Sequence, residues 1–139
     1  MPLVIRREVE IRWRDMDAFR HVNNAVFLTY LEAARDDFLG RLCAADDDLW
    51  SFVIRRVELD FVSQLTQDDG AVVAEVRLER VGTSSLVTLE RLVARSDGRL
   101  AAEARAVLVH LDETRQRSAP IPDELRARIL ANDAAAGDA

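Results

Sequence analysis

The chain has 139 residues and 49% apolar residues, which suits one domain with a hydrophobic core of its own. Its net charge is −6, and its 19 basic residues are all arginines scattered along the sequence, which argues against a nucleic-acid-binding protein because such proteins normally carry a basic stripe. The single cysteine, Cys43, excludes an intrachain disulfide, is expected to be buried, and fits a reducing, cytoplasmic location.

The first predicted element is a strand, and no targeting or membrane segment is expected. Residues 1–11 have no apolar core of signal-peptide length, and no segment approaches the roughly 20 apolar residues of a membrane span. Residues 8–14 alternate between charged side chains and an apolar face formed by Val9, Ile11 and Trp13. A period of two predicts a half-buried strand.

A long helix is predicted from Asn24 to Leu42. Its apolar residues recur at steps of three and four, which places them on one helical face. The residues of this face are Phe27, Leu31, Ala34, Phe38 and Leu42. Asn23 or Asn24 is the expected N-cap, since an asparagine oxygen can accept a hydrogen bond from a free backbone N–H.

Alternating patterns predict four more strands, which are residues 50–63, 71–81, 84–95 and 99–112. Turns are predicted at residues 67–70 and at Ser96-Asp97-Gly98, where Asp-Gly favours positive φ. A short amphipathic helix follows Pro122. The order strand, long helix, four strands and short helix predicts an α+β fold in which the long helix lies against an antiparallel sheet of about five strands.

Residues 12–24, RWRDMDAFRHVNN, form a polar segment at the predicted start of the long helix. A helix N-terminus offers free N–H groups and a partial positive charge, which suit the developing oxyanion of an attacked carbonyl. Asp17 lies seven residues before Asn24, where its carboxylate could act as a nucleophile or as a base toward water. The segment therefore contains the parts of an acyl-transfer site.

The same residues permit plainer interpretations. Asp15 and Asp17 can be turn or capping residues, and His21 can make an ordinary loop hydrogen bond. No metal site and no cofactor are predicted, because Asp15, Asp17 and His21 are a partial ligand set and His110 lies on a distant strand. No G-x-S-x-G nucleophile elbow is present, so a Ser-His-Asp triad is not indicated.

The run RWRDMDAFRHVNNAVFLTYLEAAR resembles the signature of hotdog-fold acyl-CoA thioesterases of the 4-hydroxybenzoyl-CoA thioesterase group. That signature has an aspartate, then H-V-N-N, then an aromatic-rich helix containing Tyr and Glu-Ala. The resemblance spans roughly residues 5–115 and extends to the order of strands and helix. It implies a hotdog domain over residues 1–118, followed by a short helix and flexible tail over residues 119–139.

The resemblance implies roles for individual positions in the predicted loop and helix. Asp17 matches the catalytic carboxylate, and His21 and Asn23 match positions that shape the site. The backbone at the start of the helix matches the group that polarises the thioester carbonyl, namely Asn24, Ala25 and Val26. A G-x-S-S element, formed by Gly82, Ser84 and Ser85, matches one that borders the CoA tail in relatives. Its residues also permit a plainer interpretation, in which Gly82 is a turn glycine and the two serines start a strand.

Two positions depart from the usual family pattern. Many relatives have glycine where this chain has Arg14 and Arg20. Arg14 is expected to alter the pocket entrance or to pair with Asp15. Both departures leave Asp17, the carboxylate of the family pattern, in place.

The implied activity is hydrolysis of an acyl-CoA thioester, or of an acyl-carrier-protein thioester, to a free acid and a thiol. A homodimer or homotetramer is expected, because self-association would cover apolar sheet surface. A hotdog dehydratase or hydratase fits less well, since those relatives use Asp-x4-His and three residues separate Asp17 from His21. A non-hydrolytic acyl-thioester-binding module is also considered, but no basic helical extension accompanies the domain.

Overall fold

A computed structural model describes residues 2–43 and 51–135, and it has the predicted order of elements. The strands are β1 (Val4–Glu10), β2 (Phe52–Phe61), β3 (Ala71–Val81), β4 (Ser85–Ala94) and β5 (Leu100–His110). The helices are α1 (Asn24–Cys43) and α2 (Asp123–Ala135), with short 3-10 turns at Trp13–Asp15 and Gln67–Asp69. Residue 50, predicted to begin a strand, and residues 136–139 of the predicted flexible tail lie outside the described residues.

The strands form one antiparallel sheet in the order β1-β3-β4-β5-β2. The predicted α+β architecture of one long helix against about five antiparallel strands is therefore confirmed. The positive φ predicted for the Asp-Gly turn is found at Gly98, where φ is 76°. Within the described part of the chain, neither helix is long and apolar enough to cross a membrane.

The core lies between α1 and one face of the sheet. The apolar face predicted for α1 is buried at all five positions, from Phe27 to Leu42. Val72, Ala74 and Val76 of β3 have no exposed surface and belong to the same core cluster. Alternate residues of a strand point to one side, so three consecutive even-numbered positions of β3 supply a continuous apolar strip beneath the helix.

Both ends of α1 are capped by side chains. Asn23 is the N-cap, since its Oδ1 accepts the Ala25 N–H at 2.8 Å. At the other end, Asn132 of α2 donates through Nδ2 to the Leu42 carbonyl at 2.6 Å. Helix α2 therefore satisfies part of the C-terminal end of α1, where Cys43 is buried as expected.

The prediction for Trp13 is wrong. Strand β1 ends at Glu10, and Trp13 is 78% exposed instead of continuing the apolar face of Val9 and Ile11. The Asp15 carboxylate accepts the Arg12 N–H at 2.9 Å and folds residues 13–15 into a 3-10 turn. A capping interaction between neighbouring residues has overridden the alternating pattern.

Strand β2 contains a bulge that the alternation does not reveal. The pairing with β5 shifts between Ile54 and Arg56, which inserts one extra residue into β2. Phe52 therefore joins the core, and Val53 lies on the face opposite Val57 with 41% of its surface exposed. Regular alternation through the strand predicted over residues 50–63 places Val53 and Val57 on the same face, and the bulge makes that prediction wrong.

Candidate active site

Residues 16–23 form a closed loop that leads into α1. Met16 and Val22 make an isolated antiparallel bridge at its base. Within the loop, the Asp17 N–H donates to the His21 carbonyl at 2.9 Å, and the Arg20 N–H donates to the Asp17 carbonyl at 3.0 Å. The backbone of Asp17 is thus held at both its N–H and its carbonyl.

The Asp17 side chain is half-buried and only partly hydrogen-bonded. Its Oδ1 accepts the Phe19 N–H at 2.9 Å, which fixes the direction of the carboxylate. Its Oδ2 has no hydrogen-bond partner among the described residues. One oxygen therefore orients the group while the other is available to a water molecule or a substrate carbon.

The four residues predicted to form the catalytic set line one pocket of about 630 Å³; they are Asp17, His21, Asn23 and Asn24. The facing wall consists of Phe61, Val62, Ser63 and Gln64, and the last three of these residues were not predicted from the sequence to lie at the site. The Phe61 ring lies 5.2 Å from that of Phe27, which places an aromatic pair in the pocket lining. The sequence signal for this wall is a polar Ser-Gln pair that begins two residues after Phe61, the last residue of β2.

The start of α1 offers one free backbone donor. The Ala25 N–H donates to Asn23 Oδ1, and the Val26 N–H donates to the Asn23 carbonyl at 2.9 Å. The Asn24 N–H has no partner within residues 2–43 and 51–135. Of the three predicted carbonyl-polarising positions, Asn24 is thus the one whose N–H is not already used by the cap.

The structure does not bring the G-x-S-S element to this pocket within one chain. Gly82 and Ser84 lie in the turn between β3 and β4, and Ser85 is the first residue of β4. The Gly82 N–H donates to the Ser85 carbonyl at 2.7 Å. The pocket lies at the other end of β3, roughly 30 Å away along a strand of 11 residues at about 3.3 Å each.

Asp15 differs from Asp17 in that its carboxylate is fully occupied. Asp15 is 2% exposed, and its Oδ2 accepts a hydrogen bond from the Tyr30 hydroxyl at 2.7 Å. Arg12 donates to Oδ1 from Nε at 3.2 Å and from Nη2 at 3.0 Å. Burial acts to raise the pKa of the Asp15 carboxyl, but the hydrogen bonds from Arg12 and Tyr30 outweigh it, so the pKa is lowered.

The two arginines that depart from the family pattern have different surroundings. Arg20 adopts φ of 66°, a left-handed conformation that glycine adopts without strain. The expected pairing of Arg14 with Asp15 is wrong, because Arg12 makes that ion pair at 3.0 Å. Within the described residues, no three His, Cys, Asp or Glu side chains are grouped to hold a metal ion.

The antiparallel sheet with one long helix against it is the hotdog fold of thioester hydrolases. Residues 11–129 match the model of the thioesterase-like superfamily, and the chain belongs to that family. It is 23% identical to the long-chain acyl-CoA thioesterase FadM of Escherichia coli K12 over 131 residues, covering 90% of this chain and 96% of that one.

Solved structures agree with this assignment. A thioesterase from Thermus thermophilus, solved in complex with coenzyme A and zinc, is 36% identical with a TM-score of 0.82 and covers 94% of both chains. A predicted thioesterase from Bacillus stearothermophilus is 26% identical with a TM-score of 0.81, covering 94% of this chain and 97% of that one. The protein is therefore an enzyme that hydrolyses thioesters.

Proposed function

We propose that this enzyme hydrolyses acyl-CoA thioesters and that Asp17 carries the chemistry. The observation that carries this proposal is the half-buried Asp17 carboxylate, whose Oδ2 has no partner among the described residues and which lines the same pocket as Asn24. A carboxylate beside a helix N-terminus can deliver negative charge to a carbonyl carbon while the helix stabilises the resulting oxyanion.

Two routes use these groups. As a general base, Asp17 takes a proton from water while the water oxygen attacks the carbonyl carbon. The C–S bond then breaks, and the protonated Asp17 returns the proton to the departing sulfur, which leaves as the thiol. As a nucleophile, the Asp17 oxygen attacks first and expels the thiolate, and water then hydrolyses the mixed anhydride. In both routes the Asn24 N–H is the proposed donor to the oxyanion, while His21 and Asn23 shape the pocket around it.

The proposed substrate class is acyl-CoA in preference to an acyl-carrier-protein thioester. The Escherichia coli relative is named a long-chain acyl-CoA thioesterase, and the Thermus thermophilus relative was solved with coenzyme A. Phe27 and Phe61 offer an apolar lining that suits an acyl chain. A cytoplasmic location, where acyl-CoA would be available, is part of the proposal and is supported by the single cysteine.

The test is thiol release from a panel of acyl-CoAs of increasing chain length. Asp17→Asn keeps the shape of the side chain and is expected to lower kcat by at least about a thousandfold while the protein stays folded. Asp68→Asn, in the exposed turn before β3, is the matched control and should keep wild-type rates. Wild-type activity in Asp17→Asn would overturn the assignment of Asp17.

A single turnover with excess enzyme in ¹⁸O-labelled water tests for the nucleophilic route, because only a mixed anhydride can place the label in Asp17. Direct attack by water places the label in the product acid. A mixed anhydride hydrolysed at the enzyme carbonyl leaves the label in Asp17, where mass spectrometry of the peptide would detect it.

We also propose that the enzyme is a homodimer or homotetramer. Trp13 and Phe19 are 78% and 82% exposed, which is unusual for large aromatic side chains of an isolated domain. The turn at Gly82 and Ser85 could border a ligand bound at Asp17 only if a second copy supplied it. Sedimentation analysis tests the assembly, and mixing Asp17→Asn subunits with Gly82→Trp subunits tests sharing, because a shared site would regain activity in the hybrids.

A further inference from the structure

We propose that Asp15 is a positioning residue that, together with Tyr30, holds the loop of residues 16–23 and hence Asp17 against the start of α1. This inference rests on the proposed role of Asp17. Asp15 is not offered as a reacting group, since both of its carboxylate oxygens are already occupied by Arg12 and Tyr30.

Asp15, which directly precedes the loop, is hydrogen-bonded to the last residue of the loop and to helix α1. Its main-chain carbonyl accepts the N–H of Asn23, the N-cap of α1, at 2.9 Å. Its side chain accepts the hydroxyl of Tyr30, which lies about two turns further along α1, at 2.7 Å. The residue that precedes the loop is therefore attached to the residue that closes it and to the body of the helix.

The charge and the burial of Asp15 both strengthen the hydrogen bond that its carboxylate accepts from Tyr30. A hydrogen bond from a hydroxyl to an ionised carboxylate is shorter and roughly twice as strong as a neutral one. Burial of Asp15 excludes water that would compete for the carboxylate, and the Arg12 guanidinium compensates its charge. Tyr30 is itself buried, so its hydroxyl would lose a partner if the loop moved away.

The consequence for Asp17 follows from its distance along the chain. Only Met16 separates Asp15 from Asp17, and the bridge between Met16 and Val22 leaves little slack between them. A displacement of Asp15 would therefore displace the Asp17 carboxylate relative to Asn24. Misplacement of a reacting group by about 1 Å can cost up to about a hundredfold in rate.

Tyr30→Phe tests the inference because it deletes only the hydroxyl, and the protein contains a matched control. Thr88 donates its hydroxyl at 2.7 Å to the Glu90 carboxylate, which is buried and also paired with an arginine. Thr88→Val deletes that hydroxyl in the body of the sheet, far from the loop. Both variants remove one hydroxyl from a buried carboxylate, so a general loss of stability should affect them alike.

We expect Tyr30→Phe to lower kcat by about tenfold or more while KM changes by less than about twofold, measured well below the unfolding temperature. Thr88→Val should keep kcat within about twofold of the wild type. Arg12→Gln, which changes an exposed side chain and should not prevent folding, is expected to lower kcat in the same direction as Tyr30→Phe. Equal kcat in wild type, Tyr30→Phe and Arg12→Gln would overturn the inference.

Amide hydrogen exchange separates this inference from the proposed function. Tyr30→Phe should accelerate exchange at the Asp17, Val22 and Asn23 amides by about tenfold or more, whereas Thr88→Val should not. If the wild type released no thiol from any acyl-CoA, the proposed function would fail and the exchange data would still decide whether Tyr30 holds the loop. Unchanged exchange in Tyr30→Phe would refute it regardless of activity.

Discussion

Arg35 of α1 and Glu90 of β4 form a bidentate ion pair inside the core. Arg35 Nε donates to Glu90 Oε2 at 2.8 Å, and Nη2 donates to Oε1 at 2.6 Å. The two residues are 4% and 3% exposed. Thr88 adds a third hydrogen bond at 2.7 Å, so the pair fixes the distance between helix and sheet with its charges neutralised.

Removing one partner of this pair should be strongly destabilising. Arg35→Met would leave the Glu90 charge buried without its partner, and we expect a loss of about 3–5 kcal/mol in the free energy of unfolding. The double variant Arg35→Met/Glu90→Leu should recover most of that loss, because no charge remains unpaired. Urea unfolding measures both, and Arg105→Met, which breaks the exposed pair with Glu79, should cost less than about 1 kcal/mol.

Helix α1 and the sheet could be predicted from the sequence because their determinants are local and periodic. The apolar face from Phe27 to Leu42 and the N-cap at Asn23 depend on spacing within the helix itself. Trp13 and Val53 were misplaced because a cap at Asp15 and a one-residue bulge in β2 each shift the side-chain alternation. Neither the cap nor the bulge can be recognised from the sequence, because the alternation of polar and apolar residues that predicts a strand is the same with or without them.

The candidate site likewise has a part that local sequence could predict and a part that it could not. Asp17 and Asn24 are close in sequence, so a local pattern could place them together. The facing wall at Ser63 and the anchor at Tyr30 depend on pairing across the fold, for example the Val62 and Ser63 amides that donate to the Ala101 carbonyl. Such contacts join residues far apart in the chain, and no local spacing predicts them.

Arg20 provides a test of backbone strain in the loop. Its φ of 66° is unfavourable for a residue with a Cβ and favourable for glycine. Arg20→Gly should therefore change the free energy of unfolding by no more than about 1 kcal/mol, with stabilisation as the expected sign. Arg20→Val should lose about 1 kcal/mol or more, since a β-branched residue tolerates this conformation poorly. Thermal melts at matched pH would show the opposite signs, and destabilisation by glycine would contradict the strain argument.

The pKa of Asp69 leads to a prediction of how the stability of the protein changes at acidic pH. Hydrogen bonds from Arg99 hold the pKa of Asp69 well below its usual 3.8, against the opposing effect of burial. In the unfolded chain the carboxyl has its ordinary pKa, so as the pH falls the unfolded state takes up the proton first. The stability that Asp69 contributes is complete above about pH 5 and is lost progressively below about pH 4.

Asp69→Asn should therefore be less stable than the wild type at pH 7, by about 1–3 kcal/mol. The difference in the free energy of unfolding between the two proteins should shrink between about pH 4 and pH 2. The reason is that the wild type loses the stabilisation from the ionised Asp69 carboxylate, which the variant lacks at every pH. Urea unfolding across this range measures the effect. Asp68→Asn, its exposed neighbour, should run parallel to the wild type, and a constant gap for Asp69→Asn would show that the ion pair with Arg99 is not responsible.

The turn between β3 and β4 allows stability and ligand binding to be separated. A Cβ at Gly82 would lie 2.7 Å from Ser85 Oγ, so Gly82→Ala requires that hydroxyl to move. Because the obstacle is the end of a flexible side chain, we expect a cost of about 1 kcal/mol, and Ser85→Ala in the same chain should remove most of it. Urea unfolding of the two single variants and the double variant gives their coupling energy.

The same variants test whether this turn borders the CoA tail. If it does, the double variant Gly82→Ala/Ser85→Ala should raise KM for acyl-CoA by about threefold or more with kcat nearly unchanged, even though its stability is restored. A plain turn would show wild-type KM in that variant. The comparison is informative because the steric conflict has been removed, so a change in KM would report contact with the ligand and not a distorted strand.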